Sequence, residues 1–237
     1  MDYPPSRRTA ALRAVSRFWS DDKGLSIFSS VLLVVVFVMP PLLADGRGRR
    51  LPGDLAFAVL LVSGVLALAE RGALRAALLP FALLTVAVDL GSWLVPVPPL
   101  LVEATGLLAL LLLLAVVLFH TLRDGPITFY RIQGGIAAYL LLGVAWAHAY
   151  ALVALLRPGA FTGALSAGDG PRAFLYFSFV TLTTVGYGDV LPVHPAARSL
   201  AMLEAVVGPL YLAILLARLV SLAVARSPAR RGQEGVP

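Results

Sequence analysis

The sequence predicts an all-α membrane protein, with six transmembrane helices and one shorter helix that enters the membrane without crossing it. Three observations carry that expectation. First, 59% of the 237 residues are hydrophobic and the mean hydropathy is +0.88, so the solvent for most of the chain is lipid. Second, six apolar runs each approach the roughly twenty residues that a bilayer requires. Third, the apolar run Pro171–Thr183 has only thirteen residues, too few to cross, and leads straight into a glycine-rich stretch.

The elements follow in order. Residues 1–24 carry Arg7, Arg8, Arg13, Arg17 and Lys23 among Leu12, Val15, Phe18 and Trp19. That pattern suits either a basic helix on an anionic leaflet or a solvated tail. The first apolar run starts too late for an ordinary signal peptide. Spans are expected at Leu25–Leu43, Asp54–Ala69, Arg75–Val95 and Leu100–Leu122, which together make a four-span unit over residues 25–122. A linker, 123–132, leads to a second unit, 133–225. That unit contains a span at Gln133–Leu156, the short helix at Pro171–Thr183 and a last span at Ala197–Val224, and a tail of 226–237 follows.

Charge sets the orientation. The net charge is +6 and the pI near 10.2, but the basic residues stand at the ends of apolar runs, which orients a membrane protein and gives no nucleic-acid face. With both termini cytoplasmic, thirteen of the nineteen basic residues lie inside and six outside: Arg47, Arg49, Arg50, Arg157, Arg172 and Arg198. The Arg47–Arg50 cluster is expected to fold over Asp89 and Glu103, carboxylates that are costly in hydrocarbon unless paired or hydrated. The absence of cysteine excludes disulfides, thiol redox chemistry and thiolate metal sites. His120, His148 and His194 are too far apart for a metal site. Ser63, Ser92 and Ser221 lack an acid–base partner, so no catalytic set emerges.

The chain is organised around Thr183-Thr184-Val185-Gly186-Tyr187-Gly188-Asp189. A dehydrated cation needs a cage of oxygens, and the backbone carbonyls of an extended strand supply stacked rings when several copies face one axis. Gly186 and Gly188 reach positive φ and let successive carbonyls turn the same way. Thr184 adds a hydroxyl at the inner end, while Val185 and Tyr187 point away and wedge the strand. This run is the known signature of potassium-channel filters, so it is recognised rather than deduced.

From Ile127 to Ala225 the chain resembles the pore module of tetrameric potassium channels. It is most similar to bacterial six-span channels, through Tyr139-Leu140-Leu141-Leu142-Gly143, Gly208-Pro209-Leu210-Tyr211 and Ala217-Arg218-Leu219-Val220. Gly208 follows Thr184 by twenty-four residues, the spacing from filter threonine to hinge glycine in that family. The resemblance implies a homotetramer in the plasma membrane (the bacterial inner membrane), with K⁺ at Thr184, Val185, Gly186, Tyr187 and Gly188 as the permeant ion and no cofactor. One filter strand per chain cannot ring an axis, so four must assemble. A cation transporter and a non-conducting sensor on a channel scaffold are the competing functions.

Three departures from the family matter. Leu100–Leu122 contains no arginine and its one charge is Glu103, which predicts little voltage sensitivity. Tyr176-Phe177 stands where the family often has two tryptophans, leaving Tyr176 to offer a hydroxyl to Asp189. Thirteen residues follow Val224, too few for a ligand-binding domain. Val180 occupies a pore-helix position that is acidic in some channels, and Glu204 on the last span is expected to replace that acid by reaching Thr181 or Thr183. Gly208 and Pro209 are expected to bend the last span. Below them Leu212, Leu216, Leu219 and Ala223 share a face, which in a pore-lining helix is a dry constriction.

Overall fold

The computed structural model describes residues 23–40, 51–68, 72–122, 129–163 and 170–224. The Arg47–Arg50 cluster, the basic segment before Lys23 and the tail after Val224 lie outside them. Helices dominate: α1 (Lys23–Leu33), α2 (Leu51–Leu68), α3 (Gly72–Gly91), α4 (Pro99–Leu122), α5 (Phe129–Leu156), α6 (Gly170–Leu182) and α7 (Pro195–Val224). Helix α1 continues as a π-helical turn, Val34–Val38. Two three-residue strands, β1 (Phe161–Gly163) and β2 (Val190–Pro192), pair antiparallel with Thr162 opposite Leu191.

Among the described residues, three helices are long and apolar enough to cross a membrane, over Pro99–Leu122, Arg131–Leu156 and Pro195–Ser221. Shorter apolar helices occupy Ser26–Val38, Gly53–Leu66 and Leu78–Gly91. In lipid the helix is one of the two ways to satisfy every backbone polar group, which is why these uniformly apolar runs coil.

One core links the two units. Phe28 and Leu32 of α1, Leu60 and Leu61 of α2, Leu110, Leu113 and Val117 of α4 and Ala137, Ala138 and Leu141 of α5 are buried together. Small residues set the crossings. A side chain at Gly64 would lie 2.7 Å from Leu113, one at Gly135 2.8 Å from Leu215, and one at Gly143 2.7 Å from the Phe179 ring. Such close approach is how helices gain packing where lipid offers no hydrophobic drive. Polar ties reinforce it: Ser26 donates to Gln133 and joins α1 to α5.

A second cluster sits around α6. Tyr150 is fully buried against Phe174, Phe177, Val190 and Phe161, its ring edge-on to Phe177 at 4.9 Å. The strand pair closes over this cluster and anchors the segment that follows Gly188. Gly163, at φ +107, brings β1 so near that a Cβ there would lie 1.9 Å from the Asp189 carbonyl oxygen. Helix α7 runs through Pro209 as one element and does not divide there. Gly208 is buried against the end of α6, which holds that part of the helix in place.

Candidate functional site: the loop after the short helix

Helix α6 ends at Leu182, and the chain then turns on itself. Thr184 N–H donates to Thr181 O at 2.9 Å, and both Val185 N–H (2.9 Å) and Gly186 N–H (3.2 Å) donate to Val180 O. The first amides of the loop are therefore consumed by the orphan carbonyls of the helix end. Thr184, Gly186 and Gly188 have φ of 61°, 58° and 79°, whereas Val185 and Tyr187 are not in that region. Residues of opposite hand thus alternate, and an alternating backbone turns successive carbonyls to one side while side chains go to the other. Among the described residues, nothing donates to a carbonyl of Thr184 through Gly188.

Thr184 is the member of the alternating set that glycine reasoning missed. A positive φ is uncommon for a β-branched residue, and strain of that kind concentrates at functional sites. Residues 183–189 are all exposed in the single chain, with Tyr187 at 72% and Val185 at 52%.

The surroundings of the loop are built from all three helices of the second unit. The Tyr176 side chain lies within electrostatic reach of Asp189 just beyond the loop. Thr183 donates back to Phe179 O at 2.6 Å. Behind α6 lies Glu204, fully buried; it was expected to reach Thr181 or Thr183, but its hydrogen bonds go elsewhere. Its partners are Ser178, whose Oγ lies 2.5 Å from Oε1, and Tyr150, whose hydroxyl donates to Oε2. The reason is rotational: Ser178, three residues before Thr181, is buried toward α7, whereas Thr183 faces out. Ser178 Oγ also lies 2.8 Å from the Gly143 carbonyl on α5, so α5, α6 and α7 meet at this carboxyl.

The other motif residues acquire roles. Tyr139 donates to Leu182 O at 3.4 Å and stacks on Tyr211 at 5.9 Å, and Tyr211 donates to Gly135 O at 2.8 Å. Arg218 donates to Leu122 O at the end of α4. Leu212 and Leu216 are exposed in the single chain and Leu219 is half-buried. Glu103 is buried and pairs with His148, Nδ1 to Oε2 2.8 Å, while the arginine cluster expected over it lies outside the described residues. No group of three or more His, Asp or Glu side chains suited to a metal ion occurs among the described residues.

A family model falls on the same stretch. Residues 137–225 match the family model described as "Ion channel". The chain is 38% identical over 84 residues to Two pore potassium channel c of Oryza sativa subsp. japonica, covering 35% of this chain and 17% of that protein. It is 36% identical over 80 residues to Inward rectifier potassium channel Kirbac3.1 of Paramagnetospirillum magnetotacticum, covering 32% of this chain and 24% of that protein. The chain thus spans no more than about a quarter of the length of these relatives. The region matched by the family model contains α6, the loop and α7.

Proposed function

We propose that this chain is one subunit of a homotetrameric, potassium-selective channel with six spans, a re-entrant pore helix (α6) and a filter at Thr184–Gly188. The alternating backbone hand at Thr184, Gly186 and Gly188 is the observation that carries the reading. It leaves a column of unbonded carbonyls that, repeated four times about an axis, replaces the hydration shell of K⁺. The exposure of Val185 and Tyr187 in one chain supports their burial against neighbouring subunits. Ions move down their gradient, and repulsion between adjacent filter sites speeds exit.

Glu204 supports the filter from behind. Ser178 has one hydroxyl proton and two acceptors in reach, Gly143 O and Glu204 Oε1. A proton on Glu204 lets the bonds run in one direction, from Glu204 to Ser178 to Gly143, with Tyr150 donating to the other carboxyl oxygen. Leu212, Leu216 and Leu219 line the lower pore, and the arginine-free Leu100–Leu122 makes opening weakly voltage-dependent. Both termini are cytoplasmic and the filter lies near the outer face. The test is K⁺ efflux from liposomes holding the purified protein at a native mass of four chains. A four-chain assembly that passes no K⁺ would favour a non-conducting sensor.

A further inference from the structure

Glu103 and His148 join the four-helix unit to α5 at the height of the filter. The pair is built rather than incidental. Glu103 and Gly106 stand one turn apart on α4, and the missing side chain of Gly106 makes room for the imidazole: a Cβ there would lie 3.1 Å from His148 Cε1. Phe57 of α2 packs on the same ring with centroids 5.2 Å apart. Both side chains are nearly sealed from solvent, Glu103 at 11% and His148 at 13% exposure. Asp89 of α3 lies within electrostatic reach of both, and Asp54 of α2, which accepts a bond from Trp93 Nε1 at 2.9 Å, acts on Asp89 in turn. Every helix from α2 to α4 therefore contributes to the surroundings of one side chain on α5.

Two residues further along α5 stands Tyr150, about 200° round the helix from His148. His148 looks toward the four-helix unit, and Tyr150 toward Glu204 and Ser178 behind the filter. A helix is stiff across half a turn, so a shift of His148 moves Tyr150.

We propose that the Glu103–His148 pair is a regulatory joint, through which the four-helix unit acts on the filter by way of α5 and Tyr150. Whatever the four-helix unit responds to then reaches the filter at its own height, without passing through the linker between the units. This rests on the channel reading above.

The test is a double-mutant cycle on K⁺ efflux from liposomes, using the full chain. Glu103→Gln and Tyr150→Phe should each change efflux about fivefold, the scale of an ordinary coupling between sites. Together they should change it no more than the larger single effect, because both break one path. His148→Gln, which keeps an N–H donor for Glu103, should stay close to wild type, while His148→Leu should match Glu103→Gln. Melting temperature, followed in parallel, separates loss of the joint from loss of the fold. If Glu103→Gln misfolds, the His148→Leu and Tyr150→Phe pair completes the same cycle. Multiplying single effects in the double variant, or a silent Glu103→Gln in a well-folded protein, would overturn the proposal. Absence of K⁺ efflux in the wild type would instead remove the channel reading itself.

Discussion

Gly208 sits directly against the carbonyl of Leu182, so close that a Cβ on Gly208 would lie 2.1 Å from that oxygen. Helix α7 therefore meets the last residue of α6 at close backbone range. This contact gives Gly208 a packing role that is separate from any hinge. Leu182 O also accepts the Tyr139 hydroxyl, so the end of α6 is held from two sides. Gly208→Ala forces the two backbones apart, and overpacking of this kind costs about 1–3 kcal/mol. A clear fall in melting temperature is expected. Gly91→Ala, where nothing lies within 4 Å of the new Cβ, is the control and should not fall.

Gly186→Ala isolates the backbone from the packing. A Cβ at Gly186 meets nothing within 4 Å in the single chain, but φ is +58°. The left-handed conformation costs an L-residue roughly 1–2 kcal/mol, so the carbonyl column should distort. The assembly should persist while discrimination of K⁺ from Na⁺ in liposome flux is lost. Intact discrimination would show that Gly186 is not a filter residue.

Glu204→Gln and Glu204→Ala should differ. An amide can donate to Ser178 and accept from Tyr150, so Gln reproduces the protonated acid. Ala leaves the buried Tyr150 hydroxyl without its acceptor, at about 1–3 kcal/mol for an unsatisfied buried group, while Ser178 keeps the Gly143 carbonyl but loses its tie to α7. The Gln variant is expected to keep flux and melting temperature near wild type, and the Ala variant to lose both. Equal damage from the two would mean that the ionised form is the one required.

The lower leucines test where flow is stopped. Gly208 packs α7 on the end of α6, and the Glu204, Ser178 and Tyr150 ties converge behind α6, so the proposed channel is expected to close within the Thr184–Gly188 loop. Leu216→Asn and Leu219→Asn wet the lower pore and should change basal flux little. A large rise in flux with K⁺ selectivity intact would move the gate to these leucines.

Helix positions were legible because a continuous apolar run of roughly twenty residues in lipid satisfies its own backbone by coiling. The expected Pro171–Thr183 helix is observed at Gly170–Leu182, and the expected Leu100–Leu122 helix at Pro99–Leu122. The loop was legible from its motif, although the positive φ of Thr184 was not, since threonine gives no hint of it. Partners were the weak point. Glu204 with Tyr150 and Ser178, and Glu103 with His148, are separated by 54, 26 and 45 residues. No local period encodes such pairs. The one available signal was that buried charges need partners, which identifies the residues but not whom they meet.

Voltage dependence follows from the same inventory. With no arginine in Leu100–Leu122, few charges can move in the membrane field, which is worth about 2.3 kcal/mol per charge per 100 mV. A shallow change of open probability across a voltage series is expected, and steep activation would refute it.

The most direct measurement of the central claim is the reversal potential of purified protein in a planar bilayer with K⁺ on one side and Na⁺ on the other. A carbonyl-lined filter at Thr184–Gly188 predicts current that reverses close to the K⁺ equilibrium potential, and a collapse of that selectivity in Gly186→Ala. Current reversing near zero in the wild type, or none at all from a verified four-chain assembly, would contradict the account.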